Sequence, residues 1–142
     1  MARIGILTCS NCTQDLDCAS VVCLGDLRKR RGFFEKYPAE EKLDLIGIIN
    51  CAGCPTIGAH KKILRKVRSI AEFRVDAIHF SYCMIAVCPF KQKYVEAITE
   101  TYPDIELVMG THTPRDPKEF QKEIKEALCV GKFNMTDIIK GH

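Results

Sequence analysis

The chain has 142 residues, of which 21 are basic and 18 acidic, with a net charge of +3, 46% hydrophobic residues and nine cysteines. That is the size of one domain able to bury a sizeable core, so neither a disordered chain nor a scaffold dependent on disulfide staples is expected. The near balance of charge gives no general pull toward a polyanion.

Arg3–Thr8 (RIGILT) is a short apolar run rich in β-branched residues and predicts a buried strand. A helix is expected from about Ala19 to Tyr37, with Gly25 and Gly32 as its weak points. Leu43–Asn50 (LDLIGIIN) predicts the second strand. Ile63, Val67 and Ile70 then recur at helical spacing with Leu64 and Ala71, while Lys61, Lys62, Arg65, Lys66 and Arg68 fill the solvent side. Val75–Ser81 predicts the third strand, Tyr94, Ile98 and Tyr102 a helix, and Ile105–Gly110 the fourth strand. Phe120, Ile124, Ala127 and Leu128 mark a last helix, started by Asp116 as N-cap, Pro117 at the first position and Glu119 completing a capping box. Gly131–His142 carries no assignable pattern.

Strands alternating with helices predict an α/β domain over residues 1–142. Its sheet should be open, mostly parallel and four-stranded, with helices on both faces and the flavodoxin-like strand order 2-1-3-4. The apolar stretch near Met1 is shorter than a signal-peptide core, and no run is long enough to span a membrane. The expected setting is therefore the cytoplasm, where thiols stay reduced and cysteines point to metal or redox chemistry.

Placed on this relay, the cysteines are not scattered. Cys9 and Cys12 follow the first strand, Cys51 and Cys54 the second, Cys83 and Cys88 the third, and Thr111-His112 closes the fourth. All lie at the carboxyl ends of parallel strands, the edge where open α/β sheets bind ligands. Two cysteines three residues apart can chelate one ion from a single turn. In Cys51-Ala52-Gly53-Cys54-Pro55, Gly53 permits a tight turn, Cys54 is expected near a helix N-cap and Pro55 at the first helical position. The positive end of that helix dipole would lower the pKa of the sulfur there. Cys18 and Cys23 are candidates for the same site or a second one, or are small buried residues. Cys129 reads as structural.

These motifs together resemble the CGGC domain: a cysteine-laden first loop, a CxGC tetrad followed by proline, a later Cys-x4-Cys-Pro and a terminal Thr-His. The resemblance runs from about Arg3 to His112, with Cys51–Cys54 as the tetrad and Ala52 in place of its first glycine. Cys9 and Cys18 match the first loop, Cys83 and Cys88-Pro89 the later pair, and Thr111-His112 the end. It implies a metal-binding domain, with zinc as the suggested ion, and carries no catalytic activity with it. Residues 114–142 lie beyond it as a C-terminal helix and tail.

The leading reading is a thiolate-rich metal site drawn from Cys9, Cys12, Cys51, Cys54, Cys83, Cys88 and His112, with Cys18 and Cys23 as a possible second site. Zinc is favoured slightly over an iron–sulfur cluster. The alternative is a dithiol oxidoreductase exchanging through Cys51 and Cys54. Arg28-Lys29-Arg30-Arg31 and the lysines and arginines between Lys61 and Arg68 could be a nucleic-acid surface, but a solvated helix face explains them at this net charge. His79, inside a predicted strand, reads as a packed residue and His60 as solvent-facing. His142 is uninformative. No glycine pattern follows the first strand, so no nucleotide cofactor is expected. A metal ion is the one partner implied; no membrane is expected, and the sequence names no protein partner.

Overall fold

The computed structural model describes residues 1–54, 57–130 and 134–141. Four parallel strands, β1 (Ala2–Thr8), β2 (Leu43–Asn50), β3 (Ala77–Phe80) and β4 (Glu106–Val108), form one sheet in the order β2-β1-β3-β4. This is the predicted order, and the predicted second strand has the observed bounds. The third and fourth strands are shorter than the apolar runs that signalled them. Beyond the Leu7–Phe80 pair the chain leaves the ladder, because Ser81 becomes the N-cap of a helix and accepts from the Met84 N–H.

Alternation along β1 divides the core. Ile4 and Ile6 point to one face, where they meet Phe34 and Tyr37, flanked by Leu24 and Leu27 of α1 (Val21–Lys29). Leu7 points to the other, against Ile63, Val67 and Ile70 of α2 (Ala59–Ala71) and Tyr94 and Ile98 of α4 (Lys91–Thr101). A central strand covered on both faces needs apolar residues at nearly every position, which is why RIGILT reads as a run and not as an alternation. The short α3 (Tyr82–Val87) and α5 (Pro117–Val130) complete the second layer. Asp116 caps α5 by accepting the Lys118 N–H at 3.0 Å, and Phe120, Ile124 and Ala127 are buried, whereas Leu128 is exposed. No described helix is long and apolar enough to cross a membrane.

Two segments depart from expectation. The helix predicted from Ala19 to Tyr37 is broken into α1 and a 3-10 turn, Gly32–Lys36. Arg30 ends α1 in the left-handed conformation (φ 55°), and Gly32 follows at φ 58° with its α-carbon pressed onto the loop after β4. A Cβ on Gly32 would stand 2.7 Å from the Thr111 carbonyl oxygen and the His112 carbonyl carbon. The next N–H, of Phe33, bonds that same Thr111 oxygen at 3.0 Å. A tertiary contact, not local propensity, ends this helix. In the tail, α6 (Met135–Lys140) carries a complete capping box between Asn134 and Asp137 and buries Met135 and Ile138. Gly131, Lys132, Phe133 and His142 lie outside the described residues.

His79 is fully buried in β3, as its place in a strand suggested. Its ring stacks on Phe34 at 4.4 Å, its Nδ1 donates to the Gly110 carbonyl at 2.8 Å and its Nε2 accepts from the Tyr37 hydroxyl at 2.8 Å. Both nitrogens are satisfied in the neutral ring, and burial holds its pKa down at about 4. Burial likewise pushes the Tyr37 phenol up to about 12, so it remains a donor.

Gly32→Ala should cost about 1–3 kcal/mol in urea unfolding, since the new methyl meets backbone at a positive φ; an unchanged midpoint would contradict this docking. The unfolded chain protonates His79 near pH 6.5 while the folded chain resists to about 4, so stability from this residue is whole above pH 6.5 and falls as pH drops between those values. Relative to His79→Gln, the wild type should lose about 2–3 kcal/mol between pH 7 and 4.5. Identical pH profiles in the two proteins would contradict the neutral-ring assignment.

Candidate functional site

Strand register decides which cysteines meet. The last β1–β2 pair is Thr8 with Asn50, and the Cys51 N–H continues the ladder to the Thr8 carbonyl at 2.9 Å, so Cys9 and Cys51 stand side by side one step beyond the sheet. On the other flank the Ser81 N–H bonds the Leu7 carbonyl at 2.8 Å, and Cys83 follows in the first turn of α3. Cys12 is folded back by a π-helical turn, Asn11–Asp15, in which the Cys12 and Thr13 N–H groups donate to the Cys9 carbonyl at 3.1 and 3.0 Å.

The result is a buried set of four thiols. The four bear on one another's acidity, Cys9 on Cys12, Cys51 and Cys83, and Cys12 on Cys83. Polar neighbours hold the two ends. The Ser81 hydroxyl lies 3.0 Å from the Cys83 sulfur, and the Ser10 N–H donates to the Cys51 sulfur at 3.3 Å while that thiol donates to the Ser10 hydroxyl oxygen at 3.4 Å.

The four are not equivalent in acidity. Cys83 is pulled well below a thiol's usual value, first by hydrogen bonds from Cys12 and Cys9, then by Ser81 and the Cys9 backbone N–H. Cys9 is lowered by Cys12 and Cys51. Cys12 is raised because it gives its proton toward Cys83 and Cys9. Cys51 is pushed up to about 12 by its bond to Cys9 and by burial. The negative charge of the set therefore sits on its Cys9 and Cys83 side.

The CAGC segment is arranged differently from the sequence expectation. Gly53 does make a left-handed turn (φ 99°), but α2 starts only at Ala59 with Gly58 as its N-cap. Cys54 is therefore four residues short of the cap and exposed, and burial of its approach raises its pKa instead of a dipole lowering it. Pro55 lies outside the described residues. Cys88 is buried at the end of α3, its N–H on the Met84 carbonyl at 2.9 Å, and burial pushes its thiol up to about 11. Cys54 and Cys88 act on Cys51 and Cys9, or on each other, through space only.

On the far side of Cys83 lies a small chamber of about 20 Å³, lined by Cys18, Cys23, Cys83, His112 and Met135 among others. Here Cys18 accepts the Ser20 N–H at 3.4 Å, and Cys23 pairs with the Thr111 hydroxyl at 3.2 Å. His112 is buried, its Nδ1 donating to the Thr113 carbonyl at 3.1 Å and its ring tilted against Tyr82, and burial lowers its pKa. His60 is half-buried in the first turn of α2, where it lines a cavity with Gly53, Phe90 and Tyr94, and Cys129 is exposed on α5.

Ser10, Ser81 and Thr111 escaped sequence reasoning. Ser81 could have been found as an N-cap, since it precedes an apolar turn; the roles of Ser10 and Thr111 depend on which strand lies beside them. Among the described residues, no group of three or more His, Cys, Asp or Glu side chains is arranged to hold an ion as it stands.

No curated protein and no solved structure matches this chain. The family model of the CGGC domain matches residues 3–112. That span takes in the whole sheet but for Ala2 at the start of β1, and every cysteine except Cys129, and the chain belongs to the CGGC domain family.

Proposed function

We propose that the protein binds zinc through the thiolates of Cys9, Cys12, Cys51 and Cys83 at the carboxyl edge of the sheet. The observation that carries this reading is the gathering of four buried cysteines, delivered by three adjacent strands into one cluster, close enough to shift one another's acidity. Sulfurs around a tetrahedral zinc at about 2.3 Å stand roughly 3.8 Å from one another, close to the spacing of hydrogen-bonded thiols. Small side-chain rotations would turn them from one another onto a shared centre. The donor chemistry fits, because thiolates select soft or borderline ions. An iron–sulfur cluster fits less well, since its larger core must stand between sulfurs that are here buried together in one cluster.

Zinc in this position supplies the positive charge that lets neighbouring thiols all deprotonate. The chain's own part is to hold the sulfurs. Ser10 and Ser81 orient the outer two, and the Cys9 N–H steadies Cys83 before any ion arrives. Cys54 and Cys88 flank the set as reserve ligands, with His112 beyond Cys83. Thiol exchange through Cys51 and Cys54 is the weaker reading: exchange wants an acidic attacking thiol, and both of these are raised. A cytoplasmic setting, where thiols stay reduced and free to ligate, goes with this reading.

Anaerobic purification with elemental analysis and a visible spectrum tests the proposal. A colourless protein with about one zinc is expected, lost in Cys9→Ser and Cys83→Ser and retained in Cys129→Ser. Iron with broad absorbance near 400 nm would overturn the choice of ion, and equal metal in all three variants would overturn the site.

A further inference from the structure

A cavity of about 470 Å³ opens at the same edge of the sheet, outside the thiol set, between the loop after β2, the first turn of α2 and the start of α4. That is the size of sites that take small organic molecules, typically about 300–1,000 Å³. Its wall is mostly apolar, with Ala59, Phe90 and Tyr94 among the residues that form it. Two large apolar side chains stand open to solvent here, Phe90 at 45% exposed and Ile57 at 97%. Gly58 leaves room beside them: a Cβ built on it would meet nothing within 4 Å.

A cation and a neutral donor give the wall its polar character. Lys93 is exposed and enters no ion pair among the described residues, and none of those lining the cavity is a carboxylate. Such a wall repels an amine and attracts an anion. Tyr94 is only 2% exposed, and its hydroxyl has no hydrogen-bond partner among the described residues. Since no side-chain oxygen among them is both sealed off and unpartnered, this hydroxyl must reach the open space that Tyr94 lines. Burial pushes the phenol up to about 12, so at neutral pH it is a donor and not an anion. Gly53, inside the CAGC turn, lines the same cavity, which therefore lies against the loop that carries Cys51 and Cys54. An unpaired lysine suits a single negative charge, and an exposed phenyl ring suits a flat apolar body.

We infer that this cavity is a binding site for a small aromatic carboxylate, its ring against Phe90, its charge drawn to Lys93 and the Tyr94 hydroxyl available to it as a donor. The inference stands on the cavity alone and holds whichever ion the thiol set takes.

The test is calorimetric titration of the protein as purified with benzoate, its neutral isostere benzamide, acetate and inorganic phosphate, with amide NMR shifts to locate the site. Benzoate is expected to bind once per chain and to shift the amides of Gly58 and Lys93. Benzamide, which lacks the charge, and acetate, which lacks the ring, should each bind about tenfold more weakly or worse. Lys93→Gln should erase the preference for benzoate over benzamide. Tyr94→Phe, which keeps the ring, should weaken benzoate about fivefold, whereas Lys125→Gln on α5 should change nothing. Circular dichroism checks that each variant folds. Benzamide, acetate or phosphate bound as tightly as benzoate would overturn the inference, as would a preference that survives Lys93→Gln or shifts that spare Gly58 and Lys93. Zinc measured alongside separates the two claims. A zinc-free protein that binds benzoate through Lys93 upholds this site and refutes the zinc reading; a zinc protein that binds no benzoate overturns this site and leaves the zinc reading standing.

Discussion

Everything at the thiol site depends on the parallel register of β1 between its two neighbours. The Cys51 N–H on the Thr8 carbonyl and the Ser81 N–H on the Leu7 carbonyl are the last rungs of the two ladders. They set Cys9 beside Cys51 and bring the turn bearing Cys83 to its other side. A slip of one residue in either ladder would send the alternating core of β1 to the wrong face, so the packing of Ile4, Ile6 and Leu7 enforces the sulfur geometry as well. The core and the site are thus specified by the same constraint.

That constraint creates an electrostatic problem, because charged sulfur is costly to bury. The fold answers it locally. The neutral Cys12 thiol gives its proton inward, the Ser81 hydroxyl and the Cys9 N–H converge on Cys83, and the charge is concentrated where the donors are most numerous. A bound cation removes the problem altogether, since it replaces shared protons with a single positive centre. The same reasoning explains why His79, only two rungs below, is kept neutral between Tyr37 and Gly110 and is unsuited to ligation: both of its nitrogens are already used.

The apolar runs were enough to read the four strands and their order, and led to the expectation of six cysteines at one edge, of which four are brought together in the structure. Strand signals are strong where a run is buried on both faces, as at Ile4–Leu7 and Leu43–Asn50, and the right-handed crossover rule leaves few orders to choose from. What escaped was set by distant contacts. Nothing near Arg30 announces that Gly32 must pack on Thr111, so the first helix was read too long. The place of Cys54 depends on a loop that delays α2 to Ala59, whereas Cys-Pro alone suggests an immediate start. The capping box of Asn134 and Asp137 was legible in principle, but α6 is too short for its apolar period to be recognised, and with it went Met135 as the wall of a chamber.

The most direct test of the central claim is X-ray absorption at the zinc edge on protein purified without oxygen. The account predicts zinc surrounded by sulfur at about 2.3 Å, with about four such neighbours. Zinc ringed by oxygen and nitrogen, or a protein that holds no metal when its thiols are fully reduced, would contradict it.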